Sequence, residues 1–198
     1  MDFNECERSY RIQVISGGQT GVDRAALQAA KLCQLPTGGW LPKHCRCQDG
    51  NRTDLISLYD MKEHPNVGYP PRTKQNVFDS CATLRYAVDF KSAGEKLTLS
   101  AIKKFNKPHF DIHSLSDVSA AIEWIKNGRF KVLNCAGNSE NTAPGIFNMA
   151  LHIFTSIFIH FGICPACNGT GQIYGERLNG PTHLPEQCEM CYDRAKIS

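Results

Sequence analysis

Two cysteine pairs close the chain, Cys164-x-x-Cys167 and Cys188-x-x-Cys191, with 20 residues between them. Thiolates at that spacing reach one tetrahedral zinc from two tight turns. Four protein sulfurs leave no coordination position for water, so such a zinc holds structure rather than catalyses. The glycines of CPACNGTG let the backbone turn sharply enough for its amides to face the sulfurs. A third pair, Cys45-x-Cys47, is too closely spaced for good zinc geometry and reads as ordinary thiols.

The second constellation is ISGGQTGVD, residues 15–23, in which Gly17, Gly18 and Gly21 separate a short apolar run from a helical pattern. Bare backbone at a strand-to-helix turn lets N–H groups and the positive end of the helix dipole converge on a phosphate. A tight turn that binds nothing is the alternative. The spacing is neither GxGxxG nor the GxxxxGK[ST] of a P-loop.

These residues need a scaffold, and the chain supplies alternating signals. A strand is expected at 11–15 and a helix at 21–33, where Val22, Ala25, Ala26, Ala29, Leu32 and Cys33 recur at helical spacing. Residues 38–54, rich in Gly, Pro, Asp and Asn, read as an irregular excursion. Helices are expected near 73–79, 98–105 and 116–126, the last capped by Ser116, and strands at 82–88, 109–112 and 131–135. Alternating strands and helices predict an α/β fold with a parallel sheet covered on both faces. The apolar run 146–161 carries Asn148, His152 and His160 and is short for a bilayer; it is either buried in the monomer or the seat of a homo-oligomer. After 162 apolar periodicity stops, which divides the chain into 1–162 and a zinc-binding tail, 163–198.

Composition narrows the classes. With 198 residues, 41% of them hydrophobic, the chain can bury a core. A formal charge of +3, from 22 basic and 19 acidic residues, does not point to nucleic acid. The start, MDFNECERSY, has no basic stretch leading into an apolar one, so a cytosolic home is expected and the 10 cysteines read as thiols and metal ligands.

The blocks ISGGQTGVDRAALQAA, GGWLPK, QDG, YPPRTKQNVFDS and LNCAGNSENTAPGI, in that order, closely resemble the molybdenum-carrier family, a branch of the SLOG group of Rossmann-like proteins. The resemblance spans roughly residues 11–155. The tail resembles one CxxCxGxG unit of the zinc domain of J-domain chaperones. The family resemblance implies a doubly wound parallel sheet with its ligand over the carboxyl ends of the strands. It implies a nucleotide-like or molybdopterin-type ligand and, by position, a first phosphate-binding turn made of Gly17, Gly18, Gln19, Thr20, Gly21 and Asp23. Arg24 is then the adjacent cation, or lies on a solvated face. Trp40 and Lys43 in GGWLPK resemble the family's GGWCPKG, with leucine for its cysteine and His44 for its glycine. Trp40 either stacks on a base or pterin or packs in the core. Arg72, Thr73 and Asn76 share one helical face, aimed at the site or at solvent.

Two blocks depart from the family. A second loop of the GGTxLT type becomes Ala93-Gly94-Glu95-Lys96-Leu97-Thr98, where Gly94 and Thr98 survive but a carboxylate has arrived, and Glu95 would repel a phosphate at close range, and so oppose a diphosphate gripped by both loops, unless Lys96 offsets it. AGPRES becomes Ala136-Gly137-Asn138-Ser139-Glu140-Asn141 and loses its arginine. In the related Lonely Guy enzymes a glutamate assists release of the base; that position is Thr98 here. Asp23 or Glu140 would have to replace it. The leading expectation is therefore a carrier, sensor or sequestering protein for a phosphate-bearing nucleotide or cofactor. The alternatives are an N-glycoside hydrolase acting on nucleoside monophosphates and an adaptor working through its zinc tail.

Overall fold

The computed structural model describes residues 11–168, 170, 172–173 and 186–188. Its frame is five parallel strands: β1 (Gln13–Ser16), β2 (Thr37–Gly38), β3 (Ala82–Tyr86), β4 (His109–Ile112) and β5 (Val132–Gly137), in the order β2-β1-β5-β3-β4. Apolar strands without clean alternation suit a sheet buried on both faces, and all five residues of β3 are buried. From β1 the chain steps outward to β2, crosses to β3 and β4, and returns to fill the gap with β5. Strand order thus reverses between β1 and β5. At such a switch point the following loops diverge and leave a crevice over the carboxyl ends.

The helices are α1 (Val22–Leu32), α2 (Asp54–Tyr59), α3 (Tyr69–Asp79), α4 (Ala93–Lys104), α5 (Val118–Gly128) and α6 (Ile146–Phe158). Helices α1, α5 and α6 share the main core with the sheet, and α3 packs on α4 around Val77, Ala101 and Ile102. The run 146–161 buries Ile146, Ala150, Ile153, Phe154, Ile157 and Phe158 inside the monomer, chiefly against α1. Met149 stays 46% exposed on its outer side. Among the described residues no helix is long and apolar enough to cross a membrane.

Four element boundaries differ from expectation. Helix α3 begins a turn early, at Tyr69, because prolines in a first helical turn sacrifice no hydrogen bond. Helix α4 begins at Ala93 rather than 98, since Ser92 caps it by accepting from Glu95 N at 3.4 Å. The cap expected of Ser116 belongs to Ser114, which faces Asp117 in a reciprocal capping box on the 3-10 turn Leu115–Asp117. The excursion holds short paired segments, Trp40–Leu41 with Lys62–Glu63 and Arg46–Cys47 with Gly50–Asn51, plus the unforeseen α2. These close a small core of their own around Leu41, Cys45, Cys47, Leu55, Tyr59 and Met61.

Candidate functional site

Over the carboxyl ends of β1 and β5 lies a cavity of about 220 Å³. Ser16 ends β1 and donates its hydroxyl to Cys135 O at 2.6 Å, which locks the two strands together at the mouth of the turn. Gly17 follows, and the reason for it is the side chain above it. A Cβ there would stand 1.6 Å from Arg72 Nη1 and 2.6 Å from Asp23 Oδ2, so glycine lets these two groups meet on the strand end. Gly21, with φ +80°, presses the loop after β1 onto the loop after β5, since its Cβ would lie 2.6 Å from Asn138 O.

Asp23 and Arg72 pair at 3.3 Å, and Asp23 also accepts from Gln19 N at 3.3 Å. Burial pushes the Asp23 carboxyl up, against the opposing pull of Arg72. Arg72 Nε is the one buried side-chain nitrogen or oxygen without a hydrogen-bond partner among the described residues. A buried, unmatched donor on a cation costs free energy unless something arrives to accept from it.

The opposite wall is the amino end of α4, which contributes Ser92, Gly94, Glu95, Leu97 and Thr98. Glu95 is buried in the first helical turn, where the dipole favours a carboxylate, and sits 3.5 Å from Arg85 Nη1. Burial nonetheless pushes Glu95 up to about 7; Arg85 opposes the rise, and the charges of Asp23, Asp111 and Asp89 add to it. Arg85 in turn donates from Nε to Asp111 at 2.8 Å and pairs with its second oxygen through Nη2. Neither Arg85 nor Asp111 was anticipated from the sequence. A charged residue inside the otherwise strand-like ATLRYAV is the available signal, because a cation buried in a sheet needs a partner. Ser92-x-x-Glu95 is likewise the signature of a helix start.

Of the anticipated site residues, Gly17, Gln19, Asp23, Arg72, Thr73, Asn76, Gly94, Thr98 and Gly137 line the cavity. The others lie off its wall. Gly18 backs onto Leu41 and Met61, and Thr20 donates its hydroxyl to Gln48 Oε1 at 2.6 Å. Arg24 is engaged by Asp49 at 2.6 and 2.9 Å. Trp40 donates its indole N–H to Asp79 at 2.7 Å, and Lys43 opens the short turn Lys43–Cys45. Glu140 accepts from Gly145 N at 2.7 Å and Phe147 N at 2.8 Å, which caps α6. Asn138 does work no sequence signal announced: its Oδ1 accepts from Val88 N and Asp89 N, and its Nδ2 donates to Asp89 O, stitching the loop after β3 to the loop after β5.

Cys164, Cys167 and Cys188 form a second centre. Their sulfurs lie within 4.8 Å of one another, and those of Cys164 and Cys188 are 3.8 Å apart. Sulfurs held about 2.3 Å from a tetrahedral metal are separated by about 3.8 Å, so the trio can hold a metal ion. Cys191 lies outside the described residues. The trio is buried in the same core as Cys33, and Ile163 N donates to Cys33 O at 2.8 Å, fastening this centre to the end of α1.

A doubly wound parallel sheet with a polar cavity over its switch point defines a Rossmann-like ligand-binding architecture. Within that class, the Circularly permutated YpsA SLOG family matches residues 14–158, and the chain belongs to it. It is also similar to the crystal structure of a "putative molybdenum carrier protein" from Syntrophus aciditrophicus SB, with 32% identity and a TM-score of 0.69 over 76% of this chain and 96% of that one. No curated protein matches the chain.

Proposed function

We propose that the protein binds a phosphate-bearing, nucleotide-like small molecule in the cytosol as a carrier, sensor or sequestering agent. The observation that carries this reading is the Arg72 guanidinium, paired with Asp23, in the wall of a cavity that opens at a glycine turn. Phosphate oxygen accepts from guanidinium in a charge-assisted bond. In this reading Gly17, Gln19, Arg72 and Thr73 receive the phosphate, while Asn76, Gly94, Thr98 and Gly137 shape the remainder of the pocket. The name of the similar structure makes a molybdopterin-type cofactor one candidate. A structural zinc is held by Cys164, Cys167, Cys188 and Cys191. The test is mass spectrometry of what leaves the freshly purified protein on denaturation, beside a native mass reporting zinc. A stoichiometric nucleotide or pterin supports the reading. An empty pocket that also fails to bind any added nucleotide or pterin refutes it.

One observation favours a second reading, the N-glycoside hydrolase. Glu95 is a carboxyl on the cavity wall that titrates at about 7, which suits a general acid. It would give its proton to the base nitrogen as the bond to C1′ breaks. Water would then add hydroxyl to C1′ and return a proton to Glu95, with Asp23 facing the developing positive charge. Release of free base from nucleoside monophosphates, lost in Glu95→Gln, is the test; no release by the wild type removes this reading.

A further inference from the structure

A planar ring needs a fixed aromatic face that solvent can reach. Trp40 is fixed, but away from this cavity. Its N–H is committed to Asp79, its ring lies edge-on to His64 at 5.7 Å, and it is absent from the cavity wall. Tyr69 meets both. It is the one aromatic residue lining the cavity among the described residues, and it is 38% exposed. As the first residue of α3 it precedes Pro70 and Pro71, whose rings restrict the backbone at the helix start. The guanidinium carbon of Arg72 lies 5.8 Å from its ring centroid, which supports the phenol by a cation–π contact. Arg72 therefore joins two things: the phenol ring at the rim and the glycine turn at the floor.

We propose that Tyr69 is the stacking platform for the heteroaromatic ring of the ligand, with Arg72 setting its distance from the phosphate. This rests on the phosphate reading of the cavity. A base or pterin laid on Tyr69 would have its phosphate-bearing arm directed along Arg72 to Gly17. Stacking is tolerant of ring identity, so Tyr69 selects for an aromatic ring rather than for one base.

The experiment titrates the full-length, metal-loaded protein by calorimetry with the four common nucleoside monophosphates and with ribose 5-phosphate. Against the tightest nucleotide, Tyr69→Ala is expected to weaken binding roughly ten- to a hundredfold and Tyr69→Phe to leave it within about twofold. Ribose 5-phosphate should bind wild type and Tyr69→Ala alike. Should the alanine variant fail to fold, Tyr69→Leu keeps the apolar bulk without the π face and is expected to show the same selective loss. Equal loss of nucleotide and ribose 5-phosphate would make Tyr69 structural and overturn the proposal, as would no loss of either. If the wild type binds ribose 5-phosphate but gains nothing from a base, the platform falls while the phosphate reading stands. If it binds none of the probes and no added pterin, the phosphate reading falls and the platform with it.

Discussion

Replacing Glu95 by glutamine keeps the side chain's shape and removes its titration, and the structure fixes what that should do. Arg85 is not stranded by the change, because Asp111 still accepts from its Nε at 2.8 Å. In an unfolded chain the Glu95 carboxyl titrates near 4.5; in the fold, burial raises it to about 7. The folded state thus holds the proton more tightly. The stability this provides is complete below 4.5 and is lost as pH rises through about 7. At pH 8 the wild type should have lost about 3 kcal/mol relative to pH 4 through this group alone. Glutamine has nothing to lose, so the gap between variant and wild type should widen in the variant's favour by that amount. For a chain of this size the widening is roughly 6–12 °C in melting temperature. Urea unfolding followed by far-UV circular dichroism at pH 4 and pH 8 measures it, and the difference between proteins cancels Asp23, whose carboxyl is also raised. Parallel stability curves for the two proteins from pH 4 to 8 would refute the burial argument. A variant weaker at every pH would show instead that an ionised Glu95 is the needed partner of Arg85.

Gly17→Ala drives a methyl into Arg72 and should cost about 1–3 kcal/mol by overpacking; displacing Arg72 should also abolish nucleotide capture, read by calorimetry. Under the zinc reading, metal analysis should find one equivalent per wild-type chain and little in Cys188→Ser, whose melting temperature should fall because metal binding supplies folding free energy. His44 is exposed and left-handed, at φ 62° and ψ 20°, so His44→Gly should stabilise the chain by about 1 kcal/mol in urea, or less where glycine's unfolded-state entropy offsets the gain.

Local signals carried most of the architecture. The apolar spacing of Val22, Ala25, Ala26 and Ala29 found α1, and the glycines before it found the end of β1, because both depend on residues a few positions apart. His44 shows the same in reverse: the position that the GGWLPK resemblance assigns to glycine is left-handed here, and only the structure says why glycine would suit it. What stayed hidden depends on pairing between strands. Arg85 and Asp111 are register partners on β3 and β4, 26 residues apart in sequence, and no spacing rule connects them. Glu95 was visible but its setting was not: behind the Ser92 cap it is a first-turn carboxylate facing Arg85.

The electrostatics of these helix ends bear on the ligand's charge. Helices α1, α4 and α6 all begin near the switch point, and each amino end would attract an anion. Each already has one from the chain itself: Asp23 in the first turn of α1, Glu95 in that of α4, and Glu140 capping α6. The cations are similarly engaged, Arg24 by Asp49, Arg85 by Asp111 and Glu95, and Arg72 by Asp23. Only Arg72 keeps a buried donor unmatched among the described residues. A diphosphate gripped at two helix ends would have to evict Glu95 from its place beside Arg85. A single phosphate at Arg72 leaves that pair in place and competes only with Asp23 for the guanidinium, and Glu95, which burial raises to about 7, can take up a proton as its charge arrives. Under the proposed reading, the pocket is therefore built for a ligand with one phosphate, and it should hold that ligand more tightly as pH falls toward 7 from above.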